Sequence, residues 1–565
     1  MFAPPLLLAA SVLGCSRPDY GMSSLDLELE LTSPEYGVFL GDDAAVVTGR
    51  VSPAGAKLYV DGEPAQFGEG GAFEISLPMD GLDYRMIEVE ASLGQQSARY
   101  RVPVFSGHDP LESWPGAATA RLTTTGLDRL GETLGAIIDA SGWDTQIMDA
   151  IPTVDTDYVD FYPLEVAHEP TVVLLSPDDS GIAAQLLMDN VSLELEVNAF
   201  DGLIVVPISI GFDQVTVDAL VQLELDADDM LSLIISQASI DLGAAKFDFG
   251  GLDGTVLELV VDAITGVVEP LSDYLLKYLL DQYGVVELGG PLSFETDLLG
   301  TSLAASVADL HTDVEGIGAG LGIGINEPAP TGSLAVPVPG EADGAAGAQA
   351  TLAVHEGLFQ LLLSDSLIDM LGSLDLSGTY GALLGGFVTA LPGGDQAPDD
   401  GWCIDIEPGT AMVVRMKDDV APLAQLHMPD FVITAGTGSA CDPWLQTSLE
   451  LNLDIGVVDG SVIDLAVDVP DGAVLYYGAD EGTWDEDEVV AGMGTMMSSL
   501  VGLVGGLVDL DLNSLIGGLS SGDPADPMTA ALSNMNIQIT DSRKLYNDDG
   551  TWTEGLYVLS ADVWE

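Results

Sequence analysis

The sequence predicts a mainly β protein with long helices (α+β): a β-sandwich followed by two copies of one larger unit. Three observations carry this. Residues 25–106 alternate apolar and polar side chains with a period of two. Beyond them, the order short helix, strands, long helix, closing strand occurs twice. The spacing from short to long helix is also matched, from 125 to 254 in the first copy and from 356 to 489 in the second. Hydrophobic residues make up 47% of the 565, which sets disorder aside and suffices for several cores.

The first element is a short apolar run, Phe2 to Leu13. It is too short for a stable membrane span and suits a signal peptide, residues 1–14. The stretch Val12-Leu13-Gly14-Cys15 resembles the lipobox of bacterial lipoproteins. That resemblance implies cleavage before Cys15 and attachment of lipid to it, and Ser16 at the next position implies the outer membrane, on its periplasmic or cell-surface face. Residues 15–24 then form a polar tether. Export leaves Cys403 and Cys441, a candidate disulfide in an oxidising compartment, with two buried thiols as the alternative. There is no CxxC and no neighbouring histidine, which argues against zinc.

The period-two segment sets Ala45, Val47, Gly49 and Val51 on one face. Leu58 with Val60, Phe73 with Ile75 and Leu77, Ile87 with Val89, and Tyr100 with Val102 continue the pattern. Turn signals at 61–63, 68–71 and 80–81 separate the strands, as in a β-sandwich. The stretch from "VTGRV" through "AKLYVDGEPAQF" to "GGAFEISLPMDG" resembles the bacterial Ig-like module, which implies a spacer or, less often, a sugar binder. Residues 107–116 read as a linker.

In the first copy, a short amphipathic helix starts near Thr125, its proposed N-cap, with Leu127, Leu130, Leu134, Ile137 and Ile138 on one face. Strands at 191–197 and 215–226 follow, and in the latter Val215, Val217, Ala219, Val221, Leu223 and Leu225 share a face. A long apolar helix is expected over 254–283, kinked at Pro270. The second copy repeats this: a helix over 355–371, strands from Cys403 to Val469, an apolar segment over 491–508, then 535–542 and 556–564. Residues 326–349 between the copies have a linker's Pro, Gly and Ala content, which gives units of 117–325 and 350–565.

This twofold order, with "ARLTTTGLDRL" (120–130) and "GLYVLSADVW" (555–564), resembles the bactericidal/permeability-increasing protein family of the tubular lipid-binding (TULIP) superfamily. The resemblance covers residues 117–565. It implies two tandem lobes, each a bent antiparallel sheet wrapped around a long helix, with apolar pockets for acyl chains. It implies no catalytic residues and no cofactor beyond bound lipid. Two departures stand out. Members that bind lipopolysaccharide use a cationic tip, whereas these units hold almost no cations. The family's disulfide lies in the first lobe, whereas Cys403 and Cys441 lie in the second.

Charge narrows the partners. There are 91 acidic and 14 basic residues, a net charge of −77. Such a chain repels phosphate backbones, which excludes nucleic acid. Adaptation to salty surroundings and a cationic partner both fit this balance.

The lipid-binding residues expected from the resemblance and the apolar stripes are Leu127, Leu130 and Leu134 on the short helix. Val256, Val260, Ile264, Val267, Leu271 and Leu275 follow on the first long helix. Met493, Met496, Met497, Leu500, Leu503, Val504 and Leu507 lie on the second. The 491–508 segment lacks a charged side chain, yet it has acidic flanks, five glycines and no basic anchor, so it is not read as a membrane span. Acidic residues around Gly-Thr-Trp at 481–488 and 548–555 are candidate calcium ligands, with plain hairpin tips as the simpler reading. The nucleophile-elbow match "GLSSG" around Ser520 has no histidine downstream, and the five histidines form no ligand spacing, so no enzyme is expected. The expected function is lipid binding, with transfer as its extension. The alternative is a surface adhesion or structural lipoprotein whose Ig-like module binds a partner.

Overall fold

The computed structural model describes residues 27–107, 117–140, 154–249, 285–325, 337–361, 402–437, 442–477 and 535–564, apart from short gaps inside these ranges, plus 145, 148, 257, 261, 276 and 328.

Strands β1 (Glu28–Ser33), β2 (Val38–Phe39), β3 (Ala45–Ser52), β4 (Lys57–Val60), β5 (Glu63–Ala65), β6 (Ala72–Leu77), β7 (Tyr84–Leu93) and β8 (Gln96–Phe105) come first. They form two sheets, β1-β3-β6 and β2-β8-β7-β4-β5, whose inner faces share one core. The period-two pattern is the cause: Ala45, Val47, Val51, Leu58, Val60, Phe73, Ile87, Val89 and Val102 are all buried there. The β4–β5 hairpin turns on Asp61 and Gly62, both at positive φ, the conformation a two-residue Asp-Gly turn favours.

Next come β9 (Ala117–Thr123), helix α1 (Thr124–Ala140), β10 (Val154–Asp155), β11 (Val159–Ala167), β12 (Val172–Asp178), β13 (Gly181–Ala199) and β14 (Ile204–Leu225). They are followed by β15 (Met230–Asp241), β16 (Ala245–Asp248), β17 (Val285–Pro291), β18 (Ser293–Leu298), β19 (Thr301–Asp313) and β20 (Gly316–Ile325). Beyond the connecting segment lie β21 (Ala350–His355), helical residues 356–361, β22 (Trp402–Pro408), β23 (Val413–Met416) and β24 (Ala424–Thr437). The last strands are β25 (Asp442–Val458), β26 (Val462–Asp468), β27 (Leu475–Tyr477), β28 (Gln538–Tyr546) and β29 (Trp552–Asp562).

This corrects the predicted α+β class. The described residues are almost wholly β, α1 is the one helix of substantial length among them, and they contain no long helix wrapped by a sheet. Apolar side chains are carried instead by long antiparallel strands, β13 of 19 and β14 of 22 residues, whose backbone groups satisfy one another between strands. The expected helices at 254–283 and 489–508 lie outside the described residues, except for Leu257, Val261 and Leu276.

Two sheets repeat one topology. In the first, β11 pairs the C-terminal half of β13 and β12 its N-terminal half, while β15 pairs the C-terminal half of β14 and β16 its N-terminal half. In the second, β22 and β23 divide β24 in the same way, and β26 and β27 divide β25. Each copy bends at the same place. In β13 the buried residues switch from even (Ile182, Met188) to odd (Val191, Leu193, Leu195, Val197) across Asp189-Asn190, with Asn190 at φ 51°. In β24 the register shifts across Pro429-Asp430, between Met428 and Phe431. Four residues before the first residue of each bend sits a cross-strand amide–carboxylate bond: Gln185 to Asp218 at 2.8 Å and Gln425 to Asp454 at 2.6 Å.

A third sheet, β18-β19-β20-β9-β21-β29-β28, joins the copies. Its middle is a twofold: Thr119 pairs Ala353 and Arg121 pairs Thr351. Thr119 and Thr351 are each fifth before their own helix, and Arg121 and Ala353 are each third. Part of the expected linker is fastened across this seam. Thr119 Oγ1 donates to the Pro337 carbonyl at 2.7 Å, and buried Arg121 donates Nε–H to the Pro339 carbonyl at 2.7 Å. Arg121 also forks onto Asp313 at 2.5 and 2.8 Å, which holds the Asp313 carboxyl below its usual range and raises the guanidinium further.

The sandwich meets the second copy. The Tyr84 ring lies 4.7 Å from the buried His427 ring, Arg415 Nη2 donates to the Ser106 carbonyl at 2.8 Å, and Tyr36 bonds Asp430.

Candidate functional site

Helix α1 starts on Thr123, not on the expected Thr125: the Gly126 N–H donates to Thr123 Oγ1 at 3.2 Å. Its apolar stripe packs on the seam. Leu127 and Leu130 are buried against Val563 and Trp564, with Leu134 and Ile137 beside them. These three leucines therefore weld helix to sheet. The C-terminal half of α1 covers the free edge of β12. Glycines supply the closeness, since a Cβ at Gly135 would lie 2.5 Å from the Thr171 carbonyl oxygen. Asp139 accepts from Thr171 N–H at 3.1 Å and from its hydroxyl at 2.6 Å. The second copy solves the same edge with one side chain: Gln360 donates to the Met412 carbonyl and accepts from Val414 N–H, both at 2.6 Å.

Beside α1 lies an apolar face crossing four strands. Directly paired residues of a sheet share a face. Val173, Leu186, Val217 and Ile240 form one rung, Leu175, Ala184 and Ala219 the next, and Pro177, Ile182, Val221 and Ile235 a third. Every member is apolar, and all but Ile182 are only half-buried. On the opposite face one rung carries an exposed Leu174 with Gln185, Asp218 and Ser239. Past the bend the apolar face becomes a closed core of Phe161, Leu193, Leu195, Val197, Ile208, Ile210 and Phe212, capped by Ile138 and Met148. The structure thus holds an apolar trough, sealed at one end and half-open along three rungs. It can bind by contact area; it offers no chemistry.

The sequence identified one wall of this trough, the shared face of Val215 through Leu225, but assigned the lining to helices. Its other walls, on β12, β13 and β15, went unread, because "GIAAQLLMDN" does not alternate simply ahead of the Asp189-Asn190 bend. Val256, Val260, Ile264, Val267, Leu271, Leu275, Met493, Met496, Met497, Leu500, Leu503, Val504 and Leu507 lie outside the described residues, as do Cys15, Cys441 and Ser520. Cys403 lies in β22, paired with Gly436. Of the two Gly-Thr-Trp stretches, 481–488 is outside the described residues, while Trp552 opens β29 opposite Tyr546 in a hairpin. Among the described residues, no group of three or more His, Cys, Asp or Glu could hold a metal ion, and no helix is long and apolar enough to cross a membrane.

No family model matches the chain, and no curated protein matches it. Among solved structures, it is similar to lipopolysaccharide binding protein at 12% identity and a TM-score of 0.46, over 80% of this chain and 99% of that one. It is similar to P47 of Clostridium botulinum E1 at 8% identity and a TM-score of 0.26, over 80% of this chain and 100% of that one. Latherin is similar at 15% identity and a TM-score of 0.15, over 28% of this chain and 92% of that one.

Proposed function

We propose that this chain is a lipid-binding protein of the bacterial envelope, exported and tethered to the outer membrane through lipid on Cys15. The half-buried apolar trough over β12–β15 carries the reading. Each methylene of an acyl chain laid there gains about 0.8 kcal/mol from leaving water, without any polar anchor. Binding, rather than catalysis, is its activity, and it uses no cofactor besides the lipid. Transfer of that lipid between membranes is the extension of the same role. Lipid extraction and native mass spectrometry of the purified protein test the reading. Co-purifying lipid, or uptake of a labelled phospholipid, is expected. A lipid-free protein that takes up none overturns it.

A further inference from the structure

The two copies present the same rungs, yet only one leaves them open. Counted from the bend, Val173–Leu186–Val217 corresponds to Val414–Leu426–Leu453, and Leu175–Ala184–Ala219 to Met416–Ala424–Ile455. All six residues of the second copy are 3% exposed or less, whereas all six of the first are half-buried. The side chains account for part of this difference. Ile455 stands where the first copy has Ala219, and Met416 where it has Leu175, so the second copy fills with its own atoms the space that the first leaves over its small central rung.

Charge then limits the occupant. The three Lys and Arg among the described residues of the first copy all face carboxylates: Arg121 meets Asp313, Arg129 meets Glu132 at 2.6 Å, and Lys246 meets Asp213. A phosphate or carboxylate headgroup would find no uncommitted cation among them, and would enter the field of a chain with a net charge of −77.

We infer that the protein binds a single amphiphile, in the trough of the first copy alone, and that it takes headgroups without net negative charge. This rests on the lipid-binding reading above. The experiment uses the full chain with palmitoyl-lysophosphatidylcholine and palmitoyl-lysophosphatidylglycerol in native mass spectrometry. One equivalent of the choline lipid is expected, with the glycerol lipid at least about tenfold weaker. Ala219→Ile, which installs the second copy's residue, weakens uptake about tenfold, the loss of contact with roughly two methylenes. Ile455→Ala leaves one equivalent. A diazirine-bearing choline lipid gives a readout independent of any variant, and should label peptides from 173–240 and not from 413–458. Uptake of neither lipid overturns the lipid-binding reading itself. Two equivalents, labelling of the second copy, equal uptake of both lipids, or an Ala219→Ile protein that is folded by circular dichroism and binds normally would overturn this inference and leave that reading standing.

Discussion

Gly135→Ala sets two effects of opposite sign against each other. In an exposed helix, alanine is favoured over glycine by about 1 kcal/mol, so stability should rise. Here the new methyl would sit 2.5 Å from the Thr171 carbonyl oxygen, where real Cβ contacts essentially never fall below 3.0 Å. Helix or strand must therefore yield by about half an ångström. The oxygen belongs to backbone one residue ahead of β12, which β13 holds from Val172 onward, so it cannot swing aside like a flexible side chain. Withdrawing α1 also stretches the bonds from Thr171 to Asp139, now 2.6 Å and 3.1 Å. Overpacking of this kind costs about 1–3 kcal/mol. Together with weakened charge-assisted bonds, this should outweigh the propensity gain and leave a net loss of about 1–2 kcal/mol. Urea unfolding, followed by far-ultraviolet circular dichroism beside the exposed control Glu132→Ala, measures it. A variant more stable than the parent by about 1 kcal/mol would refute the close approach of α1 to β12.

Three further outcomes follow from the hydrogen bonds. Arg121→Met leaves Asp313 and the Pro339 carbonyl without their buried donor and should cost about 2–4 kcal/mol, read from the same urea curves. The Asp313 carboxyl is depressed chiefly by its bond from Arg121, so its contribution is complete above the unfolded carboxylate pKa, about 3.9, and is lost as pH falls through the folded value. Acid titration of stability should therefore be shallower in Asp313→Asn, and parallel curves would contradict the assignment. Gln349 accepts from Val563 and Trp564 N–H and donates to the Trp564 carbonyl, so Gln349→Leu should cost about 2–3 kcal/mol and speed amide exchange at 563 and 564.

Local rules read well where one side chain decides one environment. The sandwich strands were legible because each buries every second residue against a single core. The Asp61-Gly62 turn was legible because its dipeptide suits two positive φ values. The order of elements in the two copies was also visible. The class was not: long apolar stretches were assigned to helices wrapped by sheets, whereas the described apolar surface belongs to strands that span a bend. At Asn190 and at Pro429-Asp430 the buried side or register changes within a strand, and period-two counting fails there. The α1 cap was misplaced because three threonines run consecutively, and the choice of Thr123 is tertiary: its hydroxyl also donates to the Ala348 carbonyl at 2.7 Å. The trough was half legible, since one strand's face can be read from sequence but its neighbours depend on pairing.

The seam sheet sets the order in which this protein can be finished during synthesis. Strand β9 is flanked by β20 and β21, so neither neighbour exists when residues 117–123 leave the ribosome. At about 5–20 residues per second, roughly 10–50 s pass before Ala350 to Ala353 emerge. Strand β9 has both edges unpaired until β20 emerges and one until β21 follows, and α1 still lacks Val563 and Trp564 beneath its leucines. The seam sheet therefore closes only once the last segments of the chain have been made. Its acidity then does a second service, because like-charged unfinished chains repel one another during the wait.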